Sequence, residues 1–221
     1  MRNFEIKNND SLSRKGRGSQ TGRSMIEMLG VLAIIGVLSV GGIAGYSKAM
    51  MKYRINKTIE QITLIAGNVR AFWGPQKNYI GVSCSGYNCK ASGCSGQSSG
   101  DGCPIHKKAK IFPDEMITVT NGKIMSITNP FGGEVNLYSV VKSQSGDMQA
   151  FVMESLLPQE ACIELATHDW SSAGVNAISI NGPVPLITPP VDLNFATDNC
   201  FDGYNEIRLH FGIDVNSNFW K

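Results

Sequence analysis

The most constraining feature of this 221-residue sequence is an apolar run near its start. From Met28 to Tyr46 there are 19 residues without a charge. At about 1.5 Å of rise per residue, a helix of this length crosses a hydrocarbon core about 30 Å thick. Glu27 lies at the edge of the run, where a carboxylate costs less than the roughly 2.5–3.5 kcal/mol it would cost at the bilayer centre. The run predicts a membrane-spanning helix, and the position of Glu27 predicts a charged partner for this carboxylate.

The cysteines indicate on which side of the membrane the rest of the chain lies. All six follow the apolar run: Cys84, Cys89, Cys94, Cys103, Cys162 and Cys200. An even number in a domain beyond a membrane segment favours disulfides in an oxidising compartment, and the alternative is six buried thiols in a cytosolic domain. Flanking charge decides little, because basic residues stand on both sides of the run. We therefore expect the C-terminal part to lie outside the cytoplasm.

The distribution of charge argues against a nucleic-acid partner. Residues 1–22 hold five basic and two acidic residues, a net charge of +3, whereas the whole chain carries +2. Residues 23–221 therefore come to −1. A nearly neutral domain has little electrostatic attraction for a phosphate backbone, so direct nucleic-acid binding is not expected.

The junction between the basic N-terminal segment and the apolar run allows three interpretations of the N-terminus to be compared. A secretory signal peptide has a shorter apolar core, of about 7–15 residues, with a small-residue cleavage site beyond it. A plain membrane anchor accounts for the length of the run but leaves Glu27 without a partner. Gly22, followed five residues later by Glu27 and then by the uncharged run, resembles the processing site of type IV prepilins and pseudopilins. Neither Gly16 nor Gly18 has an acidic residue at that distance.

This resemblance implies how the N-terminus is processed. Prepilin peptidase would cleave between Gly22 and Arg23, so that residues 1–22 are a leader peptide, and Arg23 would become N-methylated. Residues 23–50 would be the transmembrane and polymerisation half of a long helix. Glu27 would pair with the N-terminal amine of a neighbouring subunit during filament assembly, and a low dielectric would strengthen that pair.

The helical pattern continues beyond the apolar run and becomes amphipathic. Apolar residues recur at steps of three and four along one stripe: Ile55, Ile59, Ile62, Ala66, Val69 and Trp73. Gly74 and Pro75 then supply stop signals. We expect one continuous helix from about residue 24 to residue 73, with its second half, 51–73, packed on a globular head of residues 51–221. A membrane helix followed by a separate core helix is the alternative.

Beyond Pro75 the sequence predicts strands and turns with one short helix. Strands 117–120 and 123–127 flank Asn121-Gly122, a dipeptide that favours a type I′ hairpin. The remaining expected elements are strands at 134–141, 148–153, 176–180 and 205–211 and a helix at 158–167. The expected fold class is α+β, a long N-terminal α-helix packed on an antiparallel β-sheet.

Two segments of the head resemble type IVb pilins. They are TNPFGGEVNL at 128–137 and LPQEACIELATHDW at 157–170. The likeness is greatest to the conjugative thin-pilus pilins, with bundle-forming and toxin-coregulated pilins as more distant relatives. It implies the type IV pilin fold and a disulfide between Cys162 and Cys200 that bounds an exposed D-region, 162–200. No cofactor is expected.

Residues 82–110 are an insert that the resemblance does not cover. Their serine- and glycine-rich composition cannot form a hydrophobic core, so we expect an exposed loop held by disulfides. The insert contains four cysteines, Cys84, Cys89, Cys94 and Cys103. We expect them to pair among themselves, and three pairings are possible. A zinc site that uses Cys103 and His106 is the alternative, although the cysteine spacing lacks the paired CxxC of zinc ribbons and fingers. No metal is expected.

The sequence contains no recognised nucleophile, metal or phosphate motif. His168 and Asp169 are neighbours, but adjacent residues on a helix point in different directions, so catalysis is not expected. We expect a structural subunit of a type IVb pilus, used for adhesion or mating contact. A minor tip pilin acting as an adhesin and a type II secretion pseudopilin are the alternatives.

The same resemblance implies where the protein is found and what it contacts. The precursor would cross the bacterial inner membrane once, with its head in the periplasm. Its partners would be prepilin peptidase, the pilus assembly machinery and other copies of itself. The final product would be an extracellular helical filament.

Overall fold

The computed structural model describes residues 25–76, 79, 82, 84–85, 104–141, 148–183 and 185–211. Its helices are α1 (Met25–Trp73), α2 (Pro104–Ala109), α3 (Gln159–Thr167) and α4 (Leu193–Asn199). Its strands are β1 (Cys84–Ser85), β2 (Ile117–Thr120), β3 (Lys123–Ile127), β4 (Val135–Val141), β5 (Met148–Leu157), β6 (Val175–Ile180) and β7 (Asn205–Phe211). The chain divides into two compact units between Ser47 and Lys48.

Helix α1 runs for 49 residues without a break, which confirms the expected continuous helix. In its second half the buried side chains follow the predicted stripe and widen it: Ile55, Thr58, Gln61, Ile62, Ile65, Ala66, Val69 and Trp73. This spacing of three and four residues places them on one face, which packs into the core of the second unit. The helix ends at the predicted stop, where Gly74–Gln76 form a single 3₁₀ turn.

The main sheet has five antiparallel strands in the order β1-β4-β5-β7-β6. In the centre of the sheet, Val152 of β5 lies opposite Leu137 of β4 on one side and Leu209 of β7 on the other. All three side chains are fully buried and belong to the same core cluster as the stripe of α1. The sheet and this half of α1 therefore form two layers around one hydrophobic core, and the α+β class is confirmed.

The predicted hairpin is present but forms a separate two-stranded sheet of β2 and β3. Asn121 and Gly122 both have positive φ, at 51° and 79°, as a type I′ turn requires. The segment before the hairpin is tied to α1, because Lys57 Nζ lies 2.8 Å from Glu115 Oε1 and Gln61 Nε2 donates to the same oxygen at 2.9 Å.

Three expectations about the elements were incomplete. Strand β5 extends to Leu157 rather than ending at Met153, and it contains a bulge between Glu154 and Leu157. Helix α4 was not predicted, since seven residues hold too few helical turns for a periodic signal. Asp192 caps this helix, because its side chain accepts hydrogen bonds from the backbone N–H groups of Asn194 and Phe195. Helix α2 was also missed, because it lies in the segment expected to be an exposed loop.

Candidate functional site

The first unit consists, in its described part, of the apolar half of α1. Every side chain from Met25 to Ser47 is exposed. By length and composition alone, α1 could cross a membrane. Apolar surface costs about 25 cal/mol per Å² when it faces water, so burial of this segment in an apolar environment is favourable.

Glu27 lies in the first turn of α1 and its side chain is exposed. The partial positive charge at a helix N-terminus favours a carboxylate there by about 0.3–1 kcal/mol, which is a local reason for its position. No basic residue follows it in α1 before Lys48. Gly22 and Arg23 lie outside the described residues, so cleavage and methylation at this site stay predictions.

Cys162 and Cys200 form a disulfide, the pairing that the resemblance implied. Their Cα atoms are 5.9 Å apart, and both side chains are buried. Cys162 lies in α3, and Cys200 directly follows α4. Gln159 Nε2 donates to the Cys200 carbonyl oxygen at 2.9 Å, so a hydrogen bond reinforces the same junction. The disulfide closes a loop with a sequence separation of 38 residues, which contains β6.

Of the other four cysteines, only Cys84 lies in a described element, the short strand β1. Cys89, Cys94 and Cys103 lie outside the described residues. Their pairing among themselves therefore stays a prediction.

The two ends of the insert are not the exposed loop that its composition predicted. Val82 is fully buried, and α2 places the ring of His106 in the core with 1% exposure. That ring stacks on Trp73, with centroids 5.8 Å apart, and lies against Phe112 at 5.5 Å. Burial lowers the pKa of His106 to about 4, and the Val82 backbone opposes this shift only in part. The aromatic side chains explain the difference, since they give this part of the insert an apolar surface to pack on.

Sequence reasoning missed a buried acidic residue, Glu154, on the core side of β5. Its side chain has no exposed surface, and Asn129 Nδ2 donates to its Oε2 at 3.1 Å. Oε1 has no hydrogen-bond partner among the described residues. Burial raises the pKa of Glu154 to about 8, and the bond from Asn129 opposes this shift. A carboxyl that keeps its proton at neutral pH avoids most of the cost of a buried charge.

Asn129 also holds the turn of the TNPFGGEV segment against β5. Its Oδ1 accepts from the N–H groups of Phe131 at 3.0 Å and Gly133 at 2.8 Å, while Nδ2 donates to the Ser155 carbonyl oxygen at 2.9 Å.

The signal that could have located Glu154 is the alternation along β5, because Ala150 and Val152 are buried on the same face.

His168 and Asp169 each contact a residue close by in the sequence. Helix α3 ends at Thr167, as the expected helix at 158–167 does, so neither residue lies within a helix and the argument from helical geometry does not apply to them. Asp169 Oδ1 accepts from the Ser171 N–H at 3.0 Å, and the His168 ring contacts Trp170 edge-on. The Ser171 backbone lowers the pKa of Asp169. Within the described part of the chain, no group of three or more His, Cys, Asp or Glu side chains could hold a metal ion.

Known proteins resemble this chain at the level of structure. No protein-family model matches the chain, and no curated protein matches it. Among solved structures, a type IVb pilin from Salmonella typhi aligns with a TM-score of 0.49 and 18% sequence identity, over 71% of this chain and 98% of that one. At this score and identity, the likeness assigns neither a family nor a function to the chain.

Proposed function

We propose that this protein is a filament subunit of the type IVb pilin class, made as a precursor that is cleaved after Gly22. The observation that carries the proposal is the composition of α1. Its first half is an exposed apolar helix with one acidic residue at its start, and its second half packs on an antiparallel sheet. A helix of this kind can be stored in a membrane and then buried among identical helices. The same burial of apolar surface stabilises it in both places.

Glu27 sets the register of the assembly in this proposal. Cleavage after Gly22 creates an amine at Arg23, and the Glu27 carboxylate of an adjacent subunit pairs with it. Both charges are then in a low dielectric, where an unpaired carboxylate is costly and a paired one specifies a single position. The precursor crosses the inner membrane with its head in the periplasm, and its partners are prepilin peptidase, the assembly machinery and other copies of the chain.

Replacing Glu27 tests the pairing. In cells that assemble the filament, Glu27→Ala should abolish filaments or reduce them sharply, while the precursor still accumulates in the membrane with a folded head. Electron microscopy of the cells and immunoblots of sheared and membrane fractions measure this. Glu60→Ala is the matched control, because Glu60 is an exposed acid on the same helix within the head. Normal filaments from the Glu27→Ala strain would contradict the proposed pairing.

The intact mass of sheared protein, measured without reductant, tests processing. The expected mass is that of Arg23–Lys221 plus one methyl group and less six hydrogens, because three disulfides are expected. A full-length mass found only in the membrane fraction would contradict cleavage and assembly together.

A further inference from the structure

A surface cleft of about 340 Å³ lies where the bulge of β5 meets the start of β7. The residues of its lining that matter here are Ser155, Leu156, Asn181, Tyr204, Glu206 and Arg208. None of them belongs to the apolar half of α1 or to the disulfide. The cleft combines an exposed aromatic ring, one apolar side chain and several polar groups, a mixture typical of ligand sites.

The bulge in β5 turns an apolar side chain outward at this place. The register with β7 shifts between Glu154 and Leu157, and Leu156 adopts a positive φ of 55°. Its side chain is 44% exposed, although the strand residues on either side of the bulge are buried. A leucine in the left-handed region is strained and persists only where surrounding contacts hold it. Ser155 supplies one such contact, since its Oγ donates to the Glu134 carbonyl oxygen at 2.8 Å.

A network of asparagines makes the opposite wall of the cleft rigid. Asn181, also at a positive φ of 52°, donates through Nδ2 to the Asn199 carbonyl oxygen at 2.7 Å and to Asn205 Oδ1 at 2.9 Å. Its own Oδ1 accepts from the Glu206 N–H at 2.8 Å. Asn205 is buried and donates to the Leu157 carbonyl oxygen at 3.2 Å. A wall whose side chains are already ordered loses little entropy when a ligand binds.

Glu206 and Arg208 project on the same side of β7, because they are two residues apart in a strand. Arg208 Nε donates to Glu206 Oε1 at 2.6 Å, so the pair adds no net charge to the cleft. The Glu206 side chain is 30% exposed, so the carboxylate is open to solvent in part. Beside this pair stands Tyr204, whose side chain is 78% exposed.

We propose that this cleft binds a neutral sugar in the pyranose form. One face of the ring, which presents C–H groups, lies on Tyr204 and Leu156, and a hydroxyl group donates to Glu206 Oε2. A carboxylate accepts hydrogen bonds from hydroxyl groups, and the Arg208 guanidinium holds that of Glu206 in place. A phosphate group would be repelled by the Glu206 carboxylate. A purely apolar ligand would desolvate the ion pair without replacing its hydrogen bonds to water. Sugar binding by a single subunit does not depend on filament assembly.

The test is a titration of the full-length chain in deuterated dodecylphosphocholine micelles, a detergent without a sugar. The probes are the methyl glycosides of galactose, glucose, mannose and N-acetylglucosamine, and saturation-transfer difference NMR reports binding. At least one glycoside should bind saturably, with transfer strongest to the C–H groups of one ring face. Tyr204→Ala should weaken that binding about tenfold, the size of effect seen when a central tyrosine is truncated. Phe201→Ala is the matched control, because Phe201 is an exposed aromatic outside the cleft lining, and binding should change less than twofold.

Two results would overturn the proposal. One is the absence of saturable transfer to any of the four glycosides. The other is equal binding by the wild type and the Tyr204→Ala variant, with near-UV circular dichroism showing both folded. Sedimentation of the same samples identifies the competing occupant, since weaker self-association of Tyr204→Ala without sugar binding would assign the cleft to a contact between copies.

Discussion

Among the described residues, Glu154 is the one acidic or basic side chain of the Asp, Glu, Lys and Arg types that is buried. It occupies a core position that apolar residues normally fill, with one hydrogen bond from Asn129 and one oxygen without a partner in the described structure. Its ordinary pKa of 4.5 is raised to about 8 by burial. Between these two pH values the unfolded chain has released a proton that the folded chain still holds. Stability therefore falls as pH rises through this window, by at most about 1.4 kcal/mol per pH unit.

Glu154→Gln should remove most of this dependence. The amide keeps the size of the side chain and an acceptor for Asn129 but does not ionise. We expect the free energy of unfolding of the wild type to decline from about pH 6.5 to 8, and that of the variant to stay nearly level. Urea unfolding followed by tryptophan fluorescence at several pH values measures both. Parallel curves for the two proteins would show that Glu154 is already ionised in the folded state.

At the scale of elements, the turn between the two sheets is packed too closely to accept a side chain at Gly133. A Cβ added there would stand 1.8 Å from the Ser155 carbonyl oxygen, which is backbone and cannot turn away. Gly133→Ala should therefore destabilise the head by about 3 kcal/mol or more. Gly132→Ala is the control: its φ of 83° is unfavourable for alanine, but nothing lies within 4 Å, so about 1–2 kcal/mol is expected. Similar losses in urea unfolding for both variants would contradict the close approach of turn and strand.

The Cys162–Cys200 disulfide joins α3 to the residue that directly follows α4. Closing a loop of 38 residues stabilises a fold by about 4 kcal/mol on the chain-entropy model. A Cys162→Ser/Cys200→Ser double variant should lose about that much and accumulate poorly in cells. Urea unfolding and immunoblots measure the two effects. Wild-type stability would mean that the surrounding packing alone holds α3 and α4 together.

At the scale of the whole molecule, three buried titratable groups give the head an optimum pH. Burial lowers the pKa values of His106 and His210 to about 4 from an ordinary 6.5. The unfolded chain binds their protons first as pH falls below 6.5, so stability is lost toward pH 4. Glu154 has the opposite effect, because its raised pKa makes the stability of the head fall as pH rises toward about 8. We expect maximum stability near pH 6.5, with a decline on both sides.

His106→Phe tests the acid side of this profile. Phenylalanine keeps an aromatic ring between Trp73 and Phe112 and cannot be protonated. The variant should lose most of the net decline between pH 6.5 and 4, because the remaining contribution of His210 is nearly offset by the opposite contribution of Glu154, and it should keep the decline above pH 6.5. If the decline in stability between pH 6.5 and 4 were the same in the variant and the wild type, the burial of a neutral His106 imidazole would be contradicted.

The sequence by itself determined the elements whose signals are local. The apolar run and the stripe of three- and four-residue steps specify α1, Asn121-Gly122 specifies a type I′ turn, and alternation specifies β7. Tertiary structure alone decided which strands are neighbours, why Glu154 is buried, how His106 packs in the core and where the cleft forms. Each of these depends on contacts between residues far apart in the chain, whose free energies a local pattern does not contain. The Cys162–Cys200 pair belongs to both levels, because the resemblance implied it and only the packing of α3 and α4 brings the two Cα atoms to 5.9 Å.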